Sequence, residues 1–177
     1  MRPGELIASD RGARAGTADD LSHAWHVLGQ VMDPEVPVVS VVDLGIVRGL
    51  DWYGGHLHVV VTPTYSGCPA TEVIEQDIQQ ALELAGFAAP QLERRLDPAW
   101  TTDWISEAGR QALREYGIAP PAGSTSKRSL LGETPEVRCP QCGSLHTEQL
   151  SQFGSTACKA LYRCLDCREP FDYFKCI

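Results

Sequence analysis

The chain has 177 residues, 43% hydrophobic and 21% charged, which suits one mid-sized domain or a domain with a small appendage and excludes a large multidomain enzyme. The formal charge of -8 is unevenly placed: residues 1–117 hold 8 Arg against 17 acids, net -9, whereas 135–177 hold five of each. So acidic a body disfavours nucleic acid, and no apolar run nears the roughly 18 residues needed to cross a bilayer, so neither nucleic acid nor membrane is an expected partner.

In chain order, residues 1–17 are rich in Gly, Arg and Ala without periodicity and read as a mobile arm. The arm lacks the apolar core of a signal peptide, so the cytoplasm is the expected location. From Asp19 the pattern turns helical, with Leu21, Trp25 and Leu28 in one stripe that Val31 and Met32 extend, and Pro34 is the expected stop. Val41, Val42, Ile46 and Val47 then predict a strand broken by Gly45. A turn at Gly54-Gly55 joins it to a second strand from Leu57 onward. Cys68-Pro69 opens a second helix with Ile74, Ile78, Leu82 and Ala85 on one face, and Gly86 ends it. Residues 91–97 predict a third strand, and Trp104 to Tyr116 a third helix with Trp104, Ala108, Ala112 and Leu113 facing inward.

These elements predict an α+β domain over 18–117, with helices packed on one face of a small sheet. The Pro-, Gly- and Ser-rich stretch 118–134 predicts a linker, and 135–177 form a second unit. Six of the seven cysteines lie in that last part. Cys139-Pro-Gln-Cys142 and Cys164-Leu-Asp-Cys167 are two C-x2-C turns, each of which can aim two thiolates at one ion, so together they offer a tetrahedral S4 site. Structural zinc is the expected occupant, with a rubredoxin-like iron site the competitor, and KALYR and FDYF are the expected strands of the ribbon. Cys158 and Cys176 are surplus. They read either as small buried apolar residues, or with Cys158 as a substitute ligand or a redox partner of Cys176. His146 reads as an exposed loop residue.

Cys68 stands alone between a strand end and a helix N-terminus, where backbone N–H groups favour a thiolate; capping is the plainer role. DPEVP, residues 33–37, puts two carboxylates in a stiff loop after the first helix, and adjacent strands would bring Asp33, Glu35 and Cys68 around one site.

DPEVPVVSVVDLGIVR and VTPTYSGCPATEVIEQDI resemble the SufT-like family of iron-sulfur assembly proteins. The likeness runs through DPAWTTDWISEAGRQALREYGIAPP, and with the terminal cysteine segments the chain resembles accessory subunits of the ring-1,2-phenylacetyl-CoA epoxidase system. That resemblance implies a SufT-like domain followed by a zinc ribbon, and a role in maturing or inserting an iron or iron-sulfur centre during aerobic phenylacetate breakdown. It implies structural Zn2+ and a transient iron or cluster as cofactors. The implied partners are the oxygenase subunits and their [2Fe-2S] flavin reductase, with a homodimer also allowed. Cys68 would be the transient ligand or transfer thiol, Asp33 and Glu35 would shape its site, and Thr62 and Thr64 would hydrogen bond around it. No Glu-x-x-His pair or dinucleotide fingerprint is present, so catalysis by the chain alone is not expected. The alternative is a non-catalytic structural subunit docking onto the monooxygenase.

Overall fold

The computed structural model describes residues 16–65, 67–121 and 136–175. Most of the expected arm and linker, and Cys176, lie outside the described residues. The inner ends of both segments belong to regular elements. Thr17 caps the first helix, and Ile118 and Ala119, read from sequence as the start of the linker, form a strand.

Helix α1, Ala18–Leu28, starts with a capping box in which the Thr17 side chain takes the Asp20 N–H and the Asp20 carboxylate takes the Thr17 N–H at 2.8 Å. Its buried face centres on Ala24 and Leu28, while Trp25 is 37% exposed and Met32 45%. The small Ala24 takes the place of closest approach, which turns the bulky Trp25 to the edge. The helix stops at Leu28, and the chain from Val31 to Val41 closes on itself: Asp33 N–H bonds the Val39 carbonyl at 3.0 Å and Val41 N–H the Val31 carbonyl at 2.9 Å.

Where a strand was expected from Val41, the chain makes a turn. Ser40 Oγ donates to Asp43 Oδ2 at 2.8 Å and accepts the Asp43 N–H, so side-chain bonds outcompete the β-branched run. Gly45 has φ +70, and a Cβ there would fall 2.7 Å from Trp104 Cβ, so the position demands glycine on both counts. Strand β1, Val47–Tyr53, begins only afterwards and pairs antiparallel with β2, His56–Val61, across the Gly54-Gly55 turn. Leu57, Val59 and Val61 alternate inward. Helix α2, Thr71–Leu84, buries Thr71, Ile74, Ile78 and Leu82, and Gly86 follows its cap with φ +94. It returns the chain to β3, Gln91–Arg94, which pairs parallel with β2 and gives the order β1-β2-β3.

A 3-10 turn, Thr102–Trp104, precedes helix α3, Glu107–Tyr116. Ser106 caps α3 and also donates to Asp43 Oδ1 at 2.6 Å, tying the helix to the 40–45 turn. Leu113 is buried and Trp104 and Ala112 pack against the same core, as the spacing suggested, whereas Ala108 is exposed and Gly109, facing Asp43 at close range, is buried in its place.

The remaining strands form a second sheet. β4 (Ile118–Ala119), β5 (Thr147–Ser151), β6 (Lys159–Cys164) and β7 (Pro170–Phe174) take the order β4-β7-β6-β5. KALYR and FDYF supply β6 and β7 as expected, while the polar TEQLS of β5 gave no signal. Ala119, Val137, Ala160, Tyr162, Phe171 and Tyr173 build this sheet's own core. Ile118, Cys158 and Phe174 instead join the core of the first sheet and its helices. Trp100 receives Phe174 there: its indole donates to the buried Leu44 carbonyl at 3.0 Å, and its ring centre lies 6.2 Å from that of Phe174.

Phe174, 1% exposed, is therefore a core residue of the preceding fold although it sits on the last strand. Phe174→Ala is expected to destabilise the whole chain by about 3–5 kcal/mol in denaturant unfolding, the usual range for a buried phenylalanine. A loss below about 1 kcal/mol would mean that the two sheets do not share a core.

Candidate functional site

Two groups of chemically capable side chains stand out. The first is the cysteine quartet. Cys139 and Cys142 lie on the turn before β5, and Cys164 and Cys167 on the turn between β6 and β7, with all four sulfurs within 4.8 Å of one another. Cys139 and Cys167 are 3.7 Å apart and Cys142 and Cys164 3.5 Å. A tetrahedral ion with bonds of about 2.3 Å spaces its sulfurs by about 3.8 Å, so the quartet fits one zinc-sized thiophilic ion without rearrangement. Amide N–H groups of Cys167 and then Asp166 hold the Cys164 thiol down to about 6, which favours the ligating thiolate. Asp166 is fixed between Ser144 and His146, the latter at 3.2 Å, bracing the second turn against the first. His146 is exposed and sits outside the quartet.

The second group lies where the acid loop meets the loop after β2. Asp33 is 7% exposed, and its Oδ1 accepts the N–H groups of Glu35 at 2.8 Å and Val36 at 2.9 Å, which sets the loop's shape. Burial raises the Asp33 carboxyl above the ordinary carboxylate range, although the two N–H bonds and the Lys159 charge oppose it. Glu35 is half-buried.

Cys68 is half-buried ahead of α2, with its N–H on the Tyr65 carbonyl at 3.2 Å and its own carbonyl accepting the Thr71 N–H. Helix α2 itself starts at Thr71, so Cys68 belongs to the approach to the helix and not to its first turn. Beside it is a water-sized cavity of about 10 Å³ lined by Thr64, Thr71, Glu75 and apolar residues including Ile46 and Val61. Thr64 thus shares the Cys68 cavity. Thr62 is buried, its N–H held by the Ile46 carbonyl at 2.8 Å, and it does not line that cavity.

Tyr65 links the acid loop to Cys68. Its phenol is pushed up to about 12 by burial and then by the charges of Cys68, Glu35 and Cys158. Glu35 and Cys68 thus both act on Tyr65, while Asp33 shapes the loop behind Glu35. The sequence reading missed Tyr65 and Lys159 and left Cys158 undecided. The thiol of Cys158 reaches the Glu35 carboxylate from the turn just before β6, a contact across 123 residues that leaves no local pattern. His56 and His58, spaced to bind metal along β2, find no third ligand among the described residues.

Asp33 yields a direct test of this loop. A carboxyl whose folded value lies above its unfolded value supports the fold while protonated and loses that support as pH rises through the folded value. Asp33→Asn keeps an oxygen for both N–H groups and removes the buried charge, so it should match or exceed wild-type stability near neutral pH and flatten the pH profile above the ordinary carboxylate range. Asp33→Ala should lose about 1–3 kcal/mol at every pH. Thermal unfolding between acid and neutral pH checks both.

With this geometry in hand, comparison with known proteins is specific. Residues 22–89 match the family described as iron-sulfur cluster assembly protein, and residues 123–175 match the PaaD zinc beta ribbon domain. A protein of Escherichia coli (strain K12) described as a subunit of 1,2-phenylacetyl-CoA epoxidase is 56% identical over 86% of this chain and 91% of its own length. A Porphyromonas gingivalis protein described as an Fe-S protein maturation auxiliary factor is 33% identical over 52% of this chain and 86% of its own. A crystal structure of a DUF59 domain from Bacillus anthracis superposes with TM-score 0.50 and 23% identity over 54% of this chain and 92% of that one, which shows the fold of the first part. No described helix is long and apolar enough to cross a membrane. On the identity across nearly its whole length and the two domain matches in order, the chain belongs to the PaaD family of phenylacetyl-CoA epoxidase subunits.

Proposed function

We propose that the chain is a non-catalytic maturation factor that holds iron, or an iron-sulfur cluster, as cargo for the other subunits of a phenylacetyl-CoA epoxidase. The observation that carries this reading is the convergence on Tyr65 of one accessible thiol, Cys68, with the Glu35 side of the acid loop. A cargo ion needs a ligand that can be reached and a site that does not close around it. Cys68 is half-buried beside a small cavity and so meets both needs. Asp33 fixes the loop that presents Glu35, and Thr64 walls the cavity. The relatives described as Fe-S maturation factors, from Porphyromonas gingivalis and Bacillus subtilis, cover much the same half of the chain and support this role for that part. In this reading the recipients are the oxygenase subunits or their [2Fe-2S] flavin reductase.

The Cys139, Cys142, Cys164 and Cys167 quartet holds zinc in this reading, and with four protein ligands the ion keeps no open position for a substrate. Its work is to staple a sheet whose own core is small.

Two measurements test the proposal. Purified protein should contain one zinc per chain, and Cys142→Ser, at the exposed corner of the quartet, should lower that content with loss of the folded second sheet. In cells, Cys68→Ala should leave the protein folded and zinc-loaded but the epoxidase short of iron and active at a small fraction of the wild-type rate. Normal epoxidase iron and activity with Cys68→Ala, together with stable co-purification, would instead support a purely structural subunit.

A further inference from the structure

Lys159 opens β6 and is only 5% exposed, which is unusual for a lysine. Its main chain is pinned by the turn before it: its N–H bonds the Thr156 carbonyl at 3.1 Å, and its carbonyl accepts the Gly154 N–H at 2.8 Å. Across the sheet it pairs with Phe174, the residue that β7 lodges in the first core. The packing that joins the two cores therefore also fixes where this ammonium lies.

Two partners meet it there. Its Nζ donates to the Glu35 carbonyl at 3.3 Å, a bond across 124 residues, and lies 3.9 Å from Asp172 Oδ2 on β7. Asp172 is itself held, since the Ser155 hydroxyl donates to its Oδ2 at 3.0 Å. The cation thus bridges the second sheet to the main chain of the acid loop. From within the loop, Asp33 accepts the Glu35 N–H, so Glu35 is gripped through its N–H by Asp33 and through its carbonyl by Lys159.

An apolar side chain of similar length would pack this seam without the cost of burying an ammonium, and buried ion pairs contribute little net stability. Such a residue could neither donate to the loop carbonyl nor turn a positive charge toward the loop's acids. Asp33 and Glu35 form no ion pair among the described residues. The Lys159 charge nevertheless acts on Asp33, lowering its carboxyl against the effect of burial.

The geometry points to Lys159 as the positioning residue of the acid loop: its buried ammonium, braced by Asp172, fixes the Glu35 main chain from the second sheet and so sets how the loop presents its acids. The consequence for function rests on the cargo role proposed above, in which that loop shapes the Cys68 site.

The test uses full-length, zinc-loaded protein with Lys159→Met, which keeps most of the side chain's length and removes the charge. Asp172 keeps the Ser155 hydroxyl and a side chain 22% exposed, so the variant leaves no carboxylate buried alone. Zinc content and exchange at the Tyr162 and Tyr173 amides of the ribbon should match wild type. Exchange at the Glu35 and Val36 amides should quicken about 10-fold or more, as expected when a hydrogen bond from a charged donor is lost. The Asp33 carboxyl, followed by carbon NMR, should titrate at higher pH than in wild type, whereas looser packing alone would admit water and move it lower. In cells, epoxidase iron should fall in Lys159→Met as it does in Cys68→Ala. Unchanged loop exchange with an unmoved Asp33 titration would overturn the proposal. Faster loop exchange with normal iron in Lys159→Met, while Cys68→Ala loses iron, would remove Lys159 from cargo handling and leave the Cys68 reading standing. Normal iron in both variants would instead overturn the cargo reading and leave only the hold on the loop. In wild type, the Lys159 ammonium protons should exchange slowly with water and show nuclear Overhauser contacts to Glu35, and free exchange would overturn the proposal however the variant folds.

Discussion

The structure depends on one packing constraint: the last strand of the second sheet places Phe174 in the core of the first. Strand alternation makes this possible, since Phe171 and Tyr173 point into the ribbon's own core while Phe174 points the other way, against Trp100. Trp100 is in turn fixed by its bond to the Leu44 carbonyl, on the turn that Ser40, Asp43 and Gly45 shape. The metal quartet holds β6 and β7 in register at their far ends. A metal held by the four cysteines would therefore also position the residues that reach across to the acid loop.

That arrangement gives the acid loop an environment it would not have alone. Asp33 is buried and its carboxyl is raised, which a lone loop on a small domain could relieve by opening to water. Here Lys159 and Cys158 cover the loop from β6, and Tyr65 meets it from the side of Cys68. The Lys159 charge offsets part of the cost of burying this acid and thiol together.

Local chemistry was legible in the sequence, and long-range packing was not. The two C-x2-C turns announce their function because spacing within a turn fixes where two sulfurs point. The Gly54-Gly55 hairpin and the Ile74, Ile78, Leu82 face of α2 were legible for the same reason. The segment Val41 to Val47 looked like a strand because its β-branched residues dominate, yet side-chain bonds between Ser40 and Asp43 decide the turn. On α1 the spacing favoured Trp25, while the fit of a small residue at the contact put Ala24 inside. Asp33, Glu35 and Cys68 could be grouped only by taking the neighbouring strands as adjacent, which is a statement about topology and not about spacing. Cys158 read as a small buried residue, a substitute ligand or a redox partner of Cys176, and the structure buries it, in contact with an acid 123 residues away.

The central claim is that the metal-bound ribbon holds the acid loop in place. Hydrogen exchange at the loop amides, Asp33 to Val41, compared between zinc-loaded and zinc-stripped protein, measures this most directly. The account predicts that stripping the metal speeds exchange in this loop along with the ribbon, because Cys158 and Lys159 withdraw from it. Unchanged protection of the loop while the ribbon amides lose theirs would contradict it.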